Sequence, residues 1–277
     1  MIRGLYTSAL GMMSSMQRMD IITNNMANVD TTGYKRDHVI SHAFSDQLIT
    51  RLNDPGMMRM ILNLNSDPIV GRINPGVFVD DVFTVFQQGP MQHTGNTLDL
   101  ALQGEGFFVV MRGGYVNGEN GENGLNGNGN GNGGERLFTR DGAFVLHNGM
   151  LMTITGERVQ GLNGNITLPN GYIAINENAQ IFVNGEYVDT LLLTNFSDLH
   201  SLRKMEDNLY NISEHSEEIP ATGVRVHQGF LEGSNVNIVQ EMVQMITASR
   251  AYETNARMLT AQDGTLQQAV NNIARRQ

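Results

Sequence analysis

The chain contains no cysteine and no tryptophan. The first absence removes disulfides, thiolate metal sites and a cysteine nucleophile, while leaving the redox compartment open. The second removes the platform on which proteins most often stack a sugar ring. Long apolar runs are missing as well. No stretch approaches the roughly 18 consecutive apolar residues that cross a bilayer, so direct membrane insertion is not expected. Near the N-terminus Ser8, Ser14, Ser15, Gln17 and Arg18 interrupt any apolar core of a leader, so no cleavable secretory signal is expected. Positive charge is scarce, with 18 Lys and Arg against 28 Asp and Glu for a formal −10. That balance argues against nucleic acid or an anionic membrane as the main partner and otherwise serves solubility.

Catalytic patterns are equally sparse. The chain has no Gly-x-Ser-x-Gly, no His-Glu-x-x-His and no Walker-type Gly-Lys-Ser/Thr. Asp80-Asp81 and Glu217-Glu218 are paired carboxylates, but neighbours on a strand point to opposite faces. The seven histidines are scattered. His38 and His42 stand at i, i+4 and would suit a metal on a helix, yet no further ligand sits nearby at a convincing spacing. Gly104-Glu105-Gly106 is not followed by a helix and reads as a bend between strands. We therefore expect no catalytic residue, cofactor site or metal site, and no enzyme.

What the chain does have is periodicity at both ends. From Ile238 a 4,3,4,3 spacing runs through Met242, Met245, Ser249, Tyr252, Ala256, Leu259, Asp263, Leu266, Val270 and Ile273. Only Ser249 and Asp263 break a small-or-apolar stripe with the 3.5-residue period of a coiled-coil seam. Such a helix would extend on the order of 60 Å. Leu5, Ala9, Met12, Met16, Met19, Thr23 and Met26 repeat the habit over residues 4–28. Many of the chain's 17 methionines fall in these stripes, which suits adaptable packing. Asn28-Val29-Asp30-Thr31-Thr32-Gly33 should end the first helix, because Asn, Asp and Thr bond to nearby backbone and Gly33 accepts a positive φ. Ser234 or Asn235 can cap the last helix, and Glu241 lies in an early turn, where the dipole favours an acid.

Between the helices the period falls to two. Val77–Phe86 is β-rich, with Asp80-Asp81 as a candidate bulge, and Leu98, Leu100 and Leu102 alternate with more polar neighbours. Asn148-Gly149 and Asn184-Gly185 each sit between apolar-rich runs, which predicts two tight hairpins. Residues 117–134, with eight Gly and seven Asn in eighteen, read as a disordered loop inserted in a hairpin. The fold expected is α+β: long N- and C-terminal helices forming a coiled-coil-like assembly domain around a central, mostly antiparallel β domain. Its divisions are an N-terminal helix and turn (1–36), a linker or extended segment (37–76), the β domain (77–228) and the C-terminal helix (229–277).

Three stretches resemble the bacterial flagellar rod and hook proteins. The first is Ile22–Arg36, where Asn25, Ala27, Asn28, Thr31, Gly33, Tyr34 and Lys35 carry the likeness and Met26 stands where Leu is usual. The second runs from Gln228 into the last helix, through Ser234, Asn235, Val236 and Asn237, and continues at Arg250, Tyr252 and Glu253. Parts of the middle, Asp99–Phe108 and Phe138–Phe144, are similar too. The resemblance implies a structural subunit of the basal-body rod, a tubular drive shaft that transmits torque from motor to hook. It implies self and other rod or hook subunits as partners, export by the flagellar type III apparatus, and a place crossing the periplasm. The expected assembly interface comprises Leu5, Met12, Met16, Met19, Met26, Ile238, Met242, Met245, Tyr252, Leu259, Leu266, Val270 and Ile273. Gly233 is the residue of the proximal-rod type, where distal-rod proteins tend to carry Thr. The alternatives are a non-flagellar β-domain adaptor that oligomerises through a coiled coil and, less favoured, a peptidoglycan-acting enzyme.

Overall fold

A computed structural model describes residues 2–50, 69–74, 76–113, 134–212 and 217–274. The Asn/Gly-rich insert lies outside the described residues, apart from Gly134. The chain forms two compact units. The first comprises Met1–Asn24, Asp37–Phe83 and Val239–Gln277, and the second Asn25–Arg36 and Thr84–Ile238. These borders differ from those read in the sequence. Residues 37–83 group with the terminal helices, and the turn after the first helix groups with the β-rich middle.

In the first unit, the N-terminal helix spans Ile2–Ala27 and the C-terminal helix Ile238–Ala274. Their polar hydroxyls are absorbed locally: Thr7, Ser15 and Thr23 donate to carbonyls one turn back, as Thr254 does in the C-terminal helix. No helix among the described residues is long and apolar enough to cross a membrane. The described residues between 37 and 76 form strands rather than a plain linker. Asp37–Ala43 pairs with Val77–Thr84, and Gln47–Thr50 pairs antiparallel with Ile69–Ile73. Phe44 packs on Phe78 with ring centroids 4.7 Å apart, and Asn74 closes the corner by accepting from Gly76 N–H and donating to Phe44 C=O. The strand Val77–Thr84 runs on through Asp80-Asp81, both exposed. His38 and His42 lie exposed on a strand rather than a helix, so the i, i+4 premise for a shared metal does not hold.

The second unit is antiparallel throughout its strand pairs. Its main sheet runs Leu202–Lys204, Leu209–Ile212, Glu135–Thr139, Phe107–Arg112, Arg158–Gly161, Met150–Thr153, Phe144–His147. Leu193–Phe196 joins Phe107–Arg112 on one side and Glu218–Pro220 on the other. Ile173–Ile175, Gln180–Val183 and Glu186–Thr190 make a smaller meander. The two Asn-Gly hairpins form as expected. His147 pairs with Met150 and Val183 with Glu186, and all four turn residues have positive φ between 52° and 89°.

Strand Phe107–Arg112 shows how the core is built. Successive side chains point to opposite faces. Phe108 and Val110 enter one apolar cluster with Leu100, Leu137, Phe144 and Ile181, while Phe107 and Val109 enter another with Phe138, Phe196 and Tyr210. Leu100–Gln103 departs from the half-buried strand expected. Ala101 is as buried as its leucine neighbours, because the strand is covered on both faces.

Candidate functional site

Several of the residues that give this chain its signature come together in the second unit, around one carboxylate. Glu232, fully buried, accepts from Lys35 Nζ at 2.5 Å and from Gly89 N–H at 2.9 Å through Oε1. Its Oε2 receives Arg140 Nη1 at 3.3 Å. Its backbone carbonyl accepts Gly33 N–H at 2.7 Å. Lys35 also donates to Gln87 C=O, and Arg140 Nη2 donates to Gly104 C=O at 2.6 Å. The Arg140 guanidinium lies over the Phe107 ring, and among the described residues its Nε has no hydrogen-bond partner. Two buried cations thus share one buried anion. Burial lowers the pKa of Lys35, which Glu232 partly offsets, and burial likewise lowers that of Arg140.

The chain reaches this arrangement through a turn that only small residues allow. After Ala27 the N–H groups of Asn28, Val29 and Thr31 bond three residues back, tightening the helix exit. Gly33 has φ +67°, and a methyl group on it would stand 2.5 Å from Asp141 N. Thr32 Oγ1 donates to Asp141 Oδ1 at 2.8 Å, and Asn208 Nδ2 to Thr32 C=O. Burial raises the pKa of Asp141, while the bonds from Thr32 and Ala143 pull the other way. Tyr34 donates to Asn25 Oδ1 at 3.2 Å, and Lys204 Nζ sits 3.7 Å from the Tyr34 ring centroid while donating to Lys35 C=O.

Asn235 closes the group. Its Oδ1 accepts Arg36 N–H at 2.8 Å, and its Nδ2 donates to Val85 C=O and Gln87 C=O at 2.7 and 3.0 Å. Val85 N–H in turn donates to Arg36 C=O. One side-chain amide therefore ties together three segments of the second unit close to points where the chain leaves it: after Arg36, before Thr84 and after Ile238. This corrects the capping role expected of Ser234 and Asn235. The helix starts at Ile238, Ser234 Oγ instead accepts Val236 N–H, and Asn235 is occupied with backbone far away in sequence. Glu241 is in the first turn as expected.

Residues 5–35 match the family described as Flagella basal body rod protein, and residues 227–273 that described as Flagellar basal body rod FlgEFG protein C-terminal. The chain is 31% identical over 263 residues to the flagellar basal-body rod protein FlgF of Caulobacter vibrioides, covering 94% of this chain and 93% of the relative. It is 32% identical over 279 residues to the rod protein FlgG of Agrobacterium fabrum, covering 95% and 96%. With FlgG of Bacillus subtilis it shares 31% identity over 294 residues, covering 98% and 99%. The chain belongs to the flagellar basal-body rod protein family.

The terminal helices of this rod-family chain pair within the first unit. Gly4 lies against Gln262 and Gly11 against Asn255, so the two helices run antiparallel. On the C-terminal helix the covered row is Glu241, Met245, Ala248, Tyr252, Asn255, Leu259, Gln262, Leu266 and Ala269, again at 4,3,4,3 spacing. Met245, Tyr252, Leu259 and Leu266 belong to both this row and the predicted stripe. The other predicted positions do not. Ile238, Met242 and Val270 are exposed, at 39%, 47% and 63%, and Asp263 is exposed with them. The reason is spatial. Glycines opposite Asn255 and Gln262 leave room for amides, so polar residues sit inside, and of the other predicted row Met242, Asp263 and Val270 are exposed while Ser249 and Ala256 are half-buried. On the N-terminal helix Leu5, Met12, Met19 and Met26 are half-buried and Met16 is exposed, while the Ile273 side chain lies outside the described residues. Of the signature residues, Asn25, Gly33, Tyr34, Lys35, Ser234 and Val236 are buried; Ala27, Asn237, Arg250 and Glu253 are exposed.

Sequence reading passed over Arg140, Lys204 and Gly89, and did not give Glu232 a role of its own. The available signal was Glu232 and Arg140 each falling inside a stretch that resembled the family.

Proposed function

We propose that this chain is a structural subunit of the flagellar basal-body rod, polymerising through its terminal helices into a tube that transmits torque from motor to hook. Membership of the rod family supports the first part. The observation that carries the second is an apolar surface left over after the two helices have paired. Val239, Met242, Val243 and Ile246 are 67%, 47%, 58% and 54% exposed and recur at i, i+3, i+4, i+7, which is one helix face. Tyr6 and Met13, at 65% and 62%, repeat the pattern on the N-terminal helix. A contiguous apolar face in water is a liability unless another molecule covers it. Heterologous contacts between copies and with other rod or hook subunits cover it and propagate an open helical array. The predicted set, Leu5 to Met26 and Ile238 to Ile273, contributes here through its exposed members, Met16, Ile238, Met242 and Val270. Residues half-buried in the helix pair serve first to hold that pair.

Travel to the basal body by the flagellar export apparatus belongs to the same reading. So does the proximal type. FlgF of Caulobacter vibrioides and FlgG of Agrobacterium fabrum stand at 31% and 32% identity, so overall similarity does not separate these two; Gly233 is the residue that favours proximal. The test is Val243→Asp combined with Ile246→Asp, two exposed positions whose change spares both cores. The variant should fold, fail to enter basal bodies and abolish swimming. Normal incorporation and motility would sink the helix-face reading.

A further inference from the structure

Inside the helix pair, two glycines of the N-terminal helix are faced by amides of the C-terminal one. A methyl group on Gly4 would stand 2.2 Å from Gln262 Nε2, and one on Gly11 2.7 Å from Asn255 Nδ2. In this arrangement each amide occupies the space a side chain on the opposite helix would take, and would have to change rotamer to make room for one. The glycines are seven residues apart and so are the amides, which keeps both contacts on one seam. Gln262 Oε1 is buried and, among the described residues, accepts no hydrogen bond. An unsatisfied buried acceptor lowers stability, and leucine at position 262 would bury more apolar surface without that cost. Residues that weaken a seam in this way are the ones that specify it, as a lone buried polar residue does in coiled coils.

We propose that Asn255 and Gln262 are positioning residues that set the register of the two terminal helices, by packing best where a glycine faces them. A slip of one heptad leaves a single amide over a glycine. In one direction it also sets Asn255 against Arg18. Leucines at 255 and 262 would remove this discrimination, since methionine- and leucine-rich rows pack in several registers with little difference in energy. The inference concerns pairing within one chain and stands apart from whether the outer faces bind neighbours.

The test exploits the absence of natural cysteine. Ser8→Cys with Leu259→Cys reports the native register, and Ser8→Cys with Leu266→Cys reports a one-heptad slip, both leaving the two glycines and the two amides in place. Full-length protein, purified and in isolated basal bodies, is oxidised mildly, and the intramolecular cross-link is read as a mobility shift at monomer mass. With Asn255 present, the native reporter should cross-link and the slipped one give about a tenth of it or less, as a seam that specifies register requires. Adding Asn255→Leu should raise the slipped product to within about threefold of the native one with helix content unchanged or higher. Asn255→Gln, which keeps an amide, should restore the native ratio. The proposal is overturned if Asn255→Leu leaves the native reporter dominant, if both cross-links vanish together, or if neither pair reacts with Asn255 in place. Assembly can fail while the register result holds, and the reverse, so the two readings fail separately.

Discussion

Glu232 holds two buried cations, and its environment makes it the least replaceable side chain in the second unit. Substituting Glu232→Gln keeps the shape and leaves Lys35 and Arg140 buried without a counter-charge. Breaking one side of such an arrangement costs about 3–5 kcal/mol, which circular-dichroism melts in urea would show as a lowered midpoint. The pH dependence has a definite sign. Burial already lowers the Lys35 pKa, and losing Glu232 removes the interaction that raises it. The folded variant thus binds this proton less tightly than the unfolded chain. The penalty is fully present below the folded pKa and is relieved as pH rises through it towards the ordinary lysine value. The deficit between Glu232→Gln and the parent should therefore shrink on the alkaline side. A constant deficit from neutral pH upward would mean that Lys35 is not the group left uncompensated.

At the scale of elements, glycines divide into those that permit an approach and those that merely interrupt a helix. A methyl group on Gly142 would stand 1.7 Å from the Leu100 carbonyl oxygen, and one on Gly89 2.0 Å from that of Gly233. Both obstacles are backbone, so neither can swing aside. Gly264, inside the C-terminal helix, faces open space. Gly142→Ala should cost about 3 kcal/mol through overpacking, whereas Gly264→Ala should stabilise the helix by about 1 kcal/mol through backbone propensity; thermal unfolding of the two variants gives opposite shifts. The same contrast explains what could be read in advance. Helix extents, the helix exit at Gly33 and both Asn-Gly hairpins depend on residues within a few positions of one another, and all were legible. The covered row of the C-terminal helix was only half legible, because Asn255 and Gln262 look solvent-facing until Gly11 and Gly4 are set opposite them. The Lys35–Glu232–Arg140 group was legible as three separate motif fragments. Nothing local tells that residues 197 positions apart share one hydrogen bond.

For the whole chain, the two units differ in what holds them. The second has extensive apolar clusters with fully buried Phe107, Phe108, Phe138 and Leu137, whereas the first pairs its helices over glycine and amide and leaves apolar rows in water. Local opening free energy follows buried apolar contact, so the units should exchange amide hydrogen at different rates. In dilute, purified chain, strands between residues 100 and 212 should be the best protected. Residues 2–24 and 239–274 should exchange faster than these strands, since a helix draws most of its stability from packing and this pair buries little apolar surface. In isolated basal bodies the same helices should gain protection, most of all at 239–246, where the exposed apolar row is densest. Hydrogen exchange read by mass spectrometry on both preparations tests the pair of expectations together. Helices already protected in dilute monomer would show that the glycine–amide seam suffices by itself, and that assembly is docking of finished helices rather than their completion. Protection unchanged at 239–246 between the two preparations would instead move the subunit contact to another face.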